Sequence, residues 1–276
     1  MQSEGNIKNK KIEVAIVMDV TGSMQQWIDA SCETVLDAFS TLQNENPESL
    51  FRLACVCYRD FGTDDPFVIV PFTEDITKVQ NTLKNTKASG GHDKAEDVAG
   101  ALEKVLELEW SEDTCKLILW VCDAPAHGNK YHSSIVDDRY PKGDPHGREP
   151  IEQMKELYLK GIDFTIFRIC KSIDKMVEIF SSIYEDEEKA TFTLLDLVKQ
   201  GETSINKSIY EYGADSIMSG FIDLSTYDCD DYKYRYGKDD EKEIENESLN
   251  ITFCSSTIES VRKTISMSSR RSSVKK

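Results

Sequence analysis

Eight cysteines are present but no CxxC pair, which excludes a zinc ribbon and a thioredoxin-type dithiol. No apolar run reaches the roughly 18–20 residues that a bilayer-spanning helix needs, so no membrane span is expected. Positive charge is scarce: 33 Lys and Arg stand against 50 Asp and Glu, a formal net charge of −17. Nucleic acid is therefore not expected as a partner, because phosphate recognition needs clustered basic side chains. A G-x-x-x-x-G-K-[ST] loop, a G-x-G-x-x-G loop and an H-R-D triplet are all missing, so the common phosphate-cradling and kinase motifs are not in this chain. The stretch MQSEGNIKNKK at the amino terminus is polar and has no secretory h-region. Cys55, Cys57, Cys122 and Cys170 lie inside apolar runs, where a thiol packs as a small hydrophobe. The expectation is a soluble, cytoplasmic protein with reduced thiols.

What is present is an alternation of two hydrophobic periods. Residues 12–18 (IEVAIVM), 51–58 (FRLACVCY), 116–122 (KLILWVC) and 163–169 (DFTIFRI) are short, continuous apolar runs. Continuous rather than alternating apolarity suits strands covered on both faces. FVIVPF at 67–72 reads as an edge strand and ATFTLLDL at 190–197 as a final one. Between them, residues 24–43, 95–108, 150–161, 172–184 and 205–217 have helical spacing, with Gly161 as a C-terminal stop. Strands alternating with helices imply right-handed crossovers and a doubly wound α/β fold with a mostly parallel central sheet. After about residue 225 the composition shifts to an acidic block and then a Ser-rich basic one. This predicts a 1–10 extension, a folded domain over 11–224 and a charged, unstructured tail over 225–276. Within that tail ITFCSS (251–256) is a segment able to dock, and Arg270-Arg271-Ser272-Ser273 has the form of a basophilic kinase substrate.

In open α/β sheets ligands sit outside the carboxyl ends of the strands. This chain places Asp19, Thr21 and Ser23 after the first strand, and Tyr58, Arg59 and Asp60 after the second. Asp123 follows KLILWVC, and the segment SGGHDKAED supplies His92, Asp93, Glu96 and Asp97. Carboxylates and hydroxyls are hard oxygen donors, which suit Mg²⁺, Mn²⁺ or Ca²⁺. Blander readings exist for each. Thr21 or Ser23 could cap the following helix. Asp93, Glu96 and Asp97 could serve a helix dipole, and Asp60 could pair with Arg59 or bond its own loop. His127, His132 and His146 share the loop 123–150 but show no i, i+4 pair and no cysteine companion, so zinc is disfavoured. A loop of that length reads as an ordered lid beside the rim.

DVTGSM after an apolar strand resembles the first loop of the metal-ion-dependent adhesion site (MIDAS) of von Willebrand factor A domains, patterned D-x-S-x-S with Thr tolerated. YRDF (58–61), PFTED (71–75), SGGHDKAEDVAGAL (89–102), CDAPAHG (122–128) and YPKGDPHGREP (140–150) are similar to the branch of that family associated with alpha-type protein kinases. The resemblance covers roughly residues 12–197. It implies a Rossmann-like sheet with one antiparallel edge strand. It also implies metal ligation by Asp19, Thr21 and Ser23, with Asp123 acting through water and Asp93 or Glu96 completing the site. A branch proline and glycine are replaced here by Ala95 and His92, and the Thr common in the second loop is absent. The function implied is a non-enzymatic, Mg²⁺-dependent interaction module that binds an Asp or Glu of a protein partner. Two alternatives are a regulatory or docking component for a kinase acting in trans, and a Mg²⁺-dependent hydrolase using His92 or His127.

Overall fold

The computed structural model of the protein describes residues 10–196 and 239–274. Six strands form one sheet: β1 (Lys11–Asp19), β2 (Leu50–Tyr58), β3 (Phe67–Thr73), β4 (Cys115–Cys122), β5 (Ile162–Arg168) and β6 (Phe192–Asp196). Their order is β3-β2-β1-β4-β5-β6. All neighbours are parallel except β2 and β3, which are antiparallel. The antiparallel strand lies at the edge, where Pro71 can lack its ladder donor without breaking a central pairing. The expected doubly wound architecture is what the chain adopts.

Both faces of the sheet are covered, which is why its strands read as continuous apolar runs. Ile12, Val14, Ile16 and Met18 of β1 join one core. It is closed by α1 (Gln25–Glu45) through Trp27, Ile28, Val35, Phe39 and Leu42, and by α2 (Ile76–Asn85) through Val79 and Leu83. Ala15 and Val17 belong to the opposite core, under α3 (Val98–Leu106), α4 (Pro150–Leu159) and α5 (Asp174–Ser182), where Trp120 is stacked on Phe164. Gly161, at φ +68°, ends α4 as its sequence position implied, donating its N–H to the carbonyl of Tyr158. Helix α2 was not anticipated. Only Ile76, Val79 and Leu83 of its ten residues are buried, and its start is fixed by Asp75, whose carboxylate accepts the Thr77 N–H at 3.1 Å.

The carboxy-terminal region departs most from expectation. Residues 239–274, expected as an unstructured tail, form one helix, α6 (Asp239–Val274). Phe253, Val261 and Ile265 enter the α1-side core, with the Phe253 ring 5.1 Å from that of Phe167. Lys263 donates to Thr193 Oγ1, and Arg262 pairs with Glu45 of α1. Arg271 forks onto the fully buried Asp163 at 3.0 and 2.9 Å, and Asp163 also accepts from Thr191 N. The apolar residues here are spaced eight and four apart in a Ser- and charge-rich background, too sparse to outweigh composition. The docking considered for 251–256 does occur. Arg271, one of the two arginines of the basophilic motif, is already engaged on the domain. The expected helix at 205–217 and the boundary at 224/225 lie outside the described residues. Among the described residues, no helix is long and apolar enough to cross a membrane.

Candidate metal centre

Asp19 is the last residue of β1 and is fully buried. Its Oδ1 accepts from Thr21 N at 2.9 Å and Thr21 Oγ1 at 2.7 Å, whereas its Oδ2 has no partner. Burial, reinforced by the charge of Asp123, pushes its pKa up to about 8. The helix-cap alternative for the hydroxyls does not hold. Met24 occupies the cap position of α1 and no side chain caps that helix. Ser23 is exposed at the rim, where its hydroxyl lowers the proton affinity of Asp123.

The three loops are stitched together by their backbones. Ser89 N donates to Val20 O and Gly22 N to Gly90 O, joining the loop after β1 to residues 89–97. Glu96 N donates to Pro125 O, joining that loop to the one after β4. Gly91 sits at φ +81°, and a Cβ there would fall 2.9 Å from Glu96 Oε1 and 3.4 Å from Thr21 Cβ. A side chain at 91 would therefore displace the Glu96 carboxylate from beside Thr21. Glu96 is 4% exposed and its Oε2 has no partner. Burial raises its pKa to about 11, with Asp19, Asp60, Asp123 and Asp93 all adding to the rise. Burial likewise raises Asp123, and the Ser23 hydroxyl works against it. Ser172 Oγ holds the Asp123 backbone carbonyl at 2.6 Å.

The structure separates residues that sequence spacing left together. Asp97 is the N-cap of α3, accepting from Gly100 N at 2.7 Å, and pairs with Arg148 at 2.8 Å. It faces away from the cluster's chemistry, and the helix starts at Val98 rather than 95, so Glu96 precedes it. Asp93 parts from Glu96 and gathers with Asp60 and His127, one ligand atom of each lying within 4.8 Å of the others. The Arg59 guanidinium instead clamps loops, donating to Ser89 Oγ, Asp65 O and Lys87 O. The partner of Asp60 is His127, whose Nε2 is 2.9 Å from Asp60 Oδ1. Burial pulls the His127 pKa down, but hydrogen bonds to Asp60 and Asp138 carry it above its ordinary value. The loop 123–149 is ordered around Asp138, which accepts from Gly128 N and Tyr140 N and contacts His127 and His132. Asp138 was not singled out in the sequence. Only its place eleven residues after His127, in a loop with three histidines, hinted at it.

Beyond burial, the charges of Asp123 and Asp60 thus raise the proton affinity of Asp19, that of Asp60 raises Asp93, and those of Asp19, Asp60, Asp123 and Asp93 raise Glu96. Buried side-chain oxygens without a partner are costly. Five such side-chain atoms occur among the described residues, and three are here: Asp19 Oδ2, Asp93 Oδ1 and Glu96 Oε2. Mutually repelling carboxylates with orphaned oxygens are what a divalent cation would satisfy, and the donor set fits one.

This rim lies at the carboxyl ends of a six-stranded, mostly parallel sheet. A family model described as von Willebrand factor type A domain matches residues 14–126 of the chain. Among curated proteins the chain is similar to "Alpha-protein kinase vwkA" of Dictyostelium discoideum. The two are 21% identical over 201 residues, 72% of this chain and 32% of the relative. It spans about a third of that relative's length. The solved structure of the SpRpn10 VWA domain superposes with a TM-score of 0.45 at 13% identity, over 74% of this chain and 95% of that one. The pilus adhesin SpaC from Lactobacillus rhamnosus GG, in its open conformation, gives 0.49 at 11% identity, over 74% of this chain and 29% of that one.

Proposed function

We propose that the chain is a Mg²⁺-dependent protein-interaction module. Thr21, Ser23 and Glu96 would hold the ion, Asp19 and Asp123 would orient them, and a partner's Asp or Glu would complete the coordination. The observation that carries this reading is the pair of orphaned oxygens, Asp19 Oδ2 and Glu96 Oε2, on loops locked together by backbone hydrogen bonds. When bound, the cation supplies a positive centre through which a strongly acidic surface accepts an acidic ligand. The side chains do the rest. Thr21 Oγ1 is fixed by Asp19, Ser23 acts on the Asp123 carboxyl, and Gly91 leaves room for Glu96. Calorimetric titration of Mg²⁺ into the full chain and into Ser23→Ala tests the site. Equal binding by both proteins would sink it. Affinity capture in Mg²⁺ against chelator then tests the module, and a partner set indifferent to chelation would refute metal-dependent docking.

A second reading is favoured by one observation, the match to part of a protein named as an alpha-type kinase. The chain would then dock substrate or regulator for such a kinase acting in trans. Adding the purified chain to an alpha-type kinase and its substrate should change the phosphorylation rate. An unchanged rate at saturating chain would exclude it.

A further inference from the structure

We propose that Asp60, Asp93 and His127 form a second cation site beside the Thr21–Ser23–Glu96 position, selective for a divalent ion that accepts a nitrogen ligand, such as Zn²⁺, with Mn²⁺ as its paramagnetic probe. The three ligands come from the loop after β2, the 89–97 loop and the loop after β4, and one donor is a nitrogen. Imidazole with carboxylates suits such ions better than Mg²⁺, which prefers oxygen and retained water.

The tautomer of His127 supports the assignment. Asp138 Oδ1 takes the His127 Nδ1 contact at 2.8 Å and the Tyr140 N–H at 2.7 Å, and Oδ2 takes the Gly128 N–H at 2.8 Å and the His132 Nε2 contact at 2.9 Å. A carboxylate receiving that many donors is ionised, so His127 Nδ1–H donates to it. The lone pair of neutral His127 is then on Nε2, which points at Asp60 Oδ1 2.9 Å away. A carboxylate holding the far nitrogen is the usual support of a metal-bound histidine. The ring is also fixed before any ion arrives. Phe61 stacks on it at 5.2 Å between centroids, and Tyr140 meets it edge-on at 5.0 Å.

One competing arrangement is an imidazolium that bridges Asp60 and Asp138 with two protons. It satisfies Asp60 but leaves Asp93 Oδ1 without a donor, buried and unpartnered. The other Asp93 oxygen already accepts Arg139 N at 2.5 Å, which fixes the direction of the carboxylate. A cation between Nε2, Asp60 and Asp93 serves all three groups at once.

The site is separable by experiment from the rim position, whose donors are all oxygen. The full chain is stripped of metal, saturated with Mg²⁺ and titrated with Mn²⁺. Bound Mn²⁺ is then read by pulsed electron paramagnetic resonance for coupling to ¹⁴N. One Mn²⁺ should persist against Mg²⁺ and show coupling to an imidazole nitrogen. His127→Gln should remove the coupling, and Asp138→Asn, which acts by positioning, should weaken Mn²⁺ about tenfold or more. Mg²⁺ binding should survive in both. Ser23→Ala should do the reverse, losing Mg²⁺ binding and keeping the nitrogen signal, so either reading can fail alone. Mn²⁺ with oxygen ligands only, no Mn²⁺ retained over Mg²⁺, or a nitrogen signal intact in His127→Gln would each overturn the proposal. The wild-type spectrum decides the question even if a variant fails to fold.

Discussion

Replacing Asp19 by Asn removes one charge from the rim and keeps its shape. The Asn Oδ1 can accept the same two bonds from Thr21, and its amide turns the orphaned Oδ2 into a donor toward neighbouring carboxylates. In the wild type without cations, the folded-state pKa of Asp19 is about 8 against 3.8 unexposed to such neighbours. The sign follows from proton uptake: the folded state holds the proton more tightly, so its stability is greatest below pH 4. Stability is then lost as pH rises from there through about 8. By pH 7, about three pH units above the unfolded value, the part of the shift already felt corresponds to about 4 kcal/mol. The clustered carboxylates share protons and relieve part of this elsewhere, so Asp19→Asn should be more stable by about 2 kcal/mol. That is an upward shift in Tm of about 4–8 °C. At pH 5 the gain should shrink to under about 1 kcal/mol. Thermal unfolding in chelator at pH 5, 6, 7 and 8 reads the trend. With millimolar Mg²⁺ the order should reverse, because a cation bound only to the folded wild type stabilises it by mass action. A variant no more stable than wild type in chelator at pH 7, or a gap that does not change with pH, would refute the electrostatic account of the rim.

The other expectations rest on separate parts of the molecule. Phe253→Ala should cost about 3 kcal/mol and expose α6 to limited proteolysis while β1–β6 persist; an uncleaved α6 would show that its docking does not depend on that ring. Arg271→Ala leaves the buried Asp163 with only Thr191 as donor and should destabilise by about 3 kcal/mol, measured by urea unfolding. Ile135 is 89% exposed on a turn tied to the rim by the Lys94 N to Asp137 O bond. Ile135→Asp should weaken partner capture at least about tenfold through lost apolar contact without altering Mg²⁺ affinity in calorimetry. Gly91→Ala should lower Mg²⁺ affinity by crowding Glu96 and Thr21, and unchanged calorimetric binding would separate Glu96 from the site.

Several features were legible because they depend on local pattern. β1, β2, β4 and β5 are buried on both sides and so read as apolar runs, and Asp19 interrupts such a run where a strand must end. Helix α2 was hidden because three buried residues in ten make a faint stripe. The choice between Asp93 and Glu96 could not be read from spacing, since three residues in an irregular loop set no common face. The backbone bond from Glu96 to Pro125 and the left-handed Gly91 send Glu96 toward Thr21. The Arg139 N–H turns Asp93 toward His127 instead.

By itself the sequence determined the alternation of strands and helices, the parallel order this forces, and the hydroxyl-bearing acidic loop at the end of β1. These follow from hydrophobic period and residue chemistry over a few neighbours. Tertiary structure alone decided which acids meet. Asp60 and His127 are 67 residues apart and touch because β2 and β4 flank β1 in one sheet. It also decided that 239–274 is a docked helix. Phe253, Val261, Ile265 and Arg271 gain their stabilising contacts only from a core and a buried carboxylate that distant strands build first.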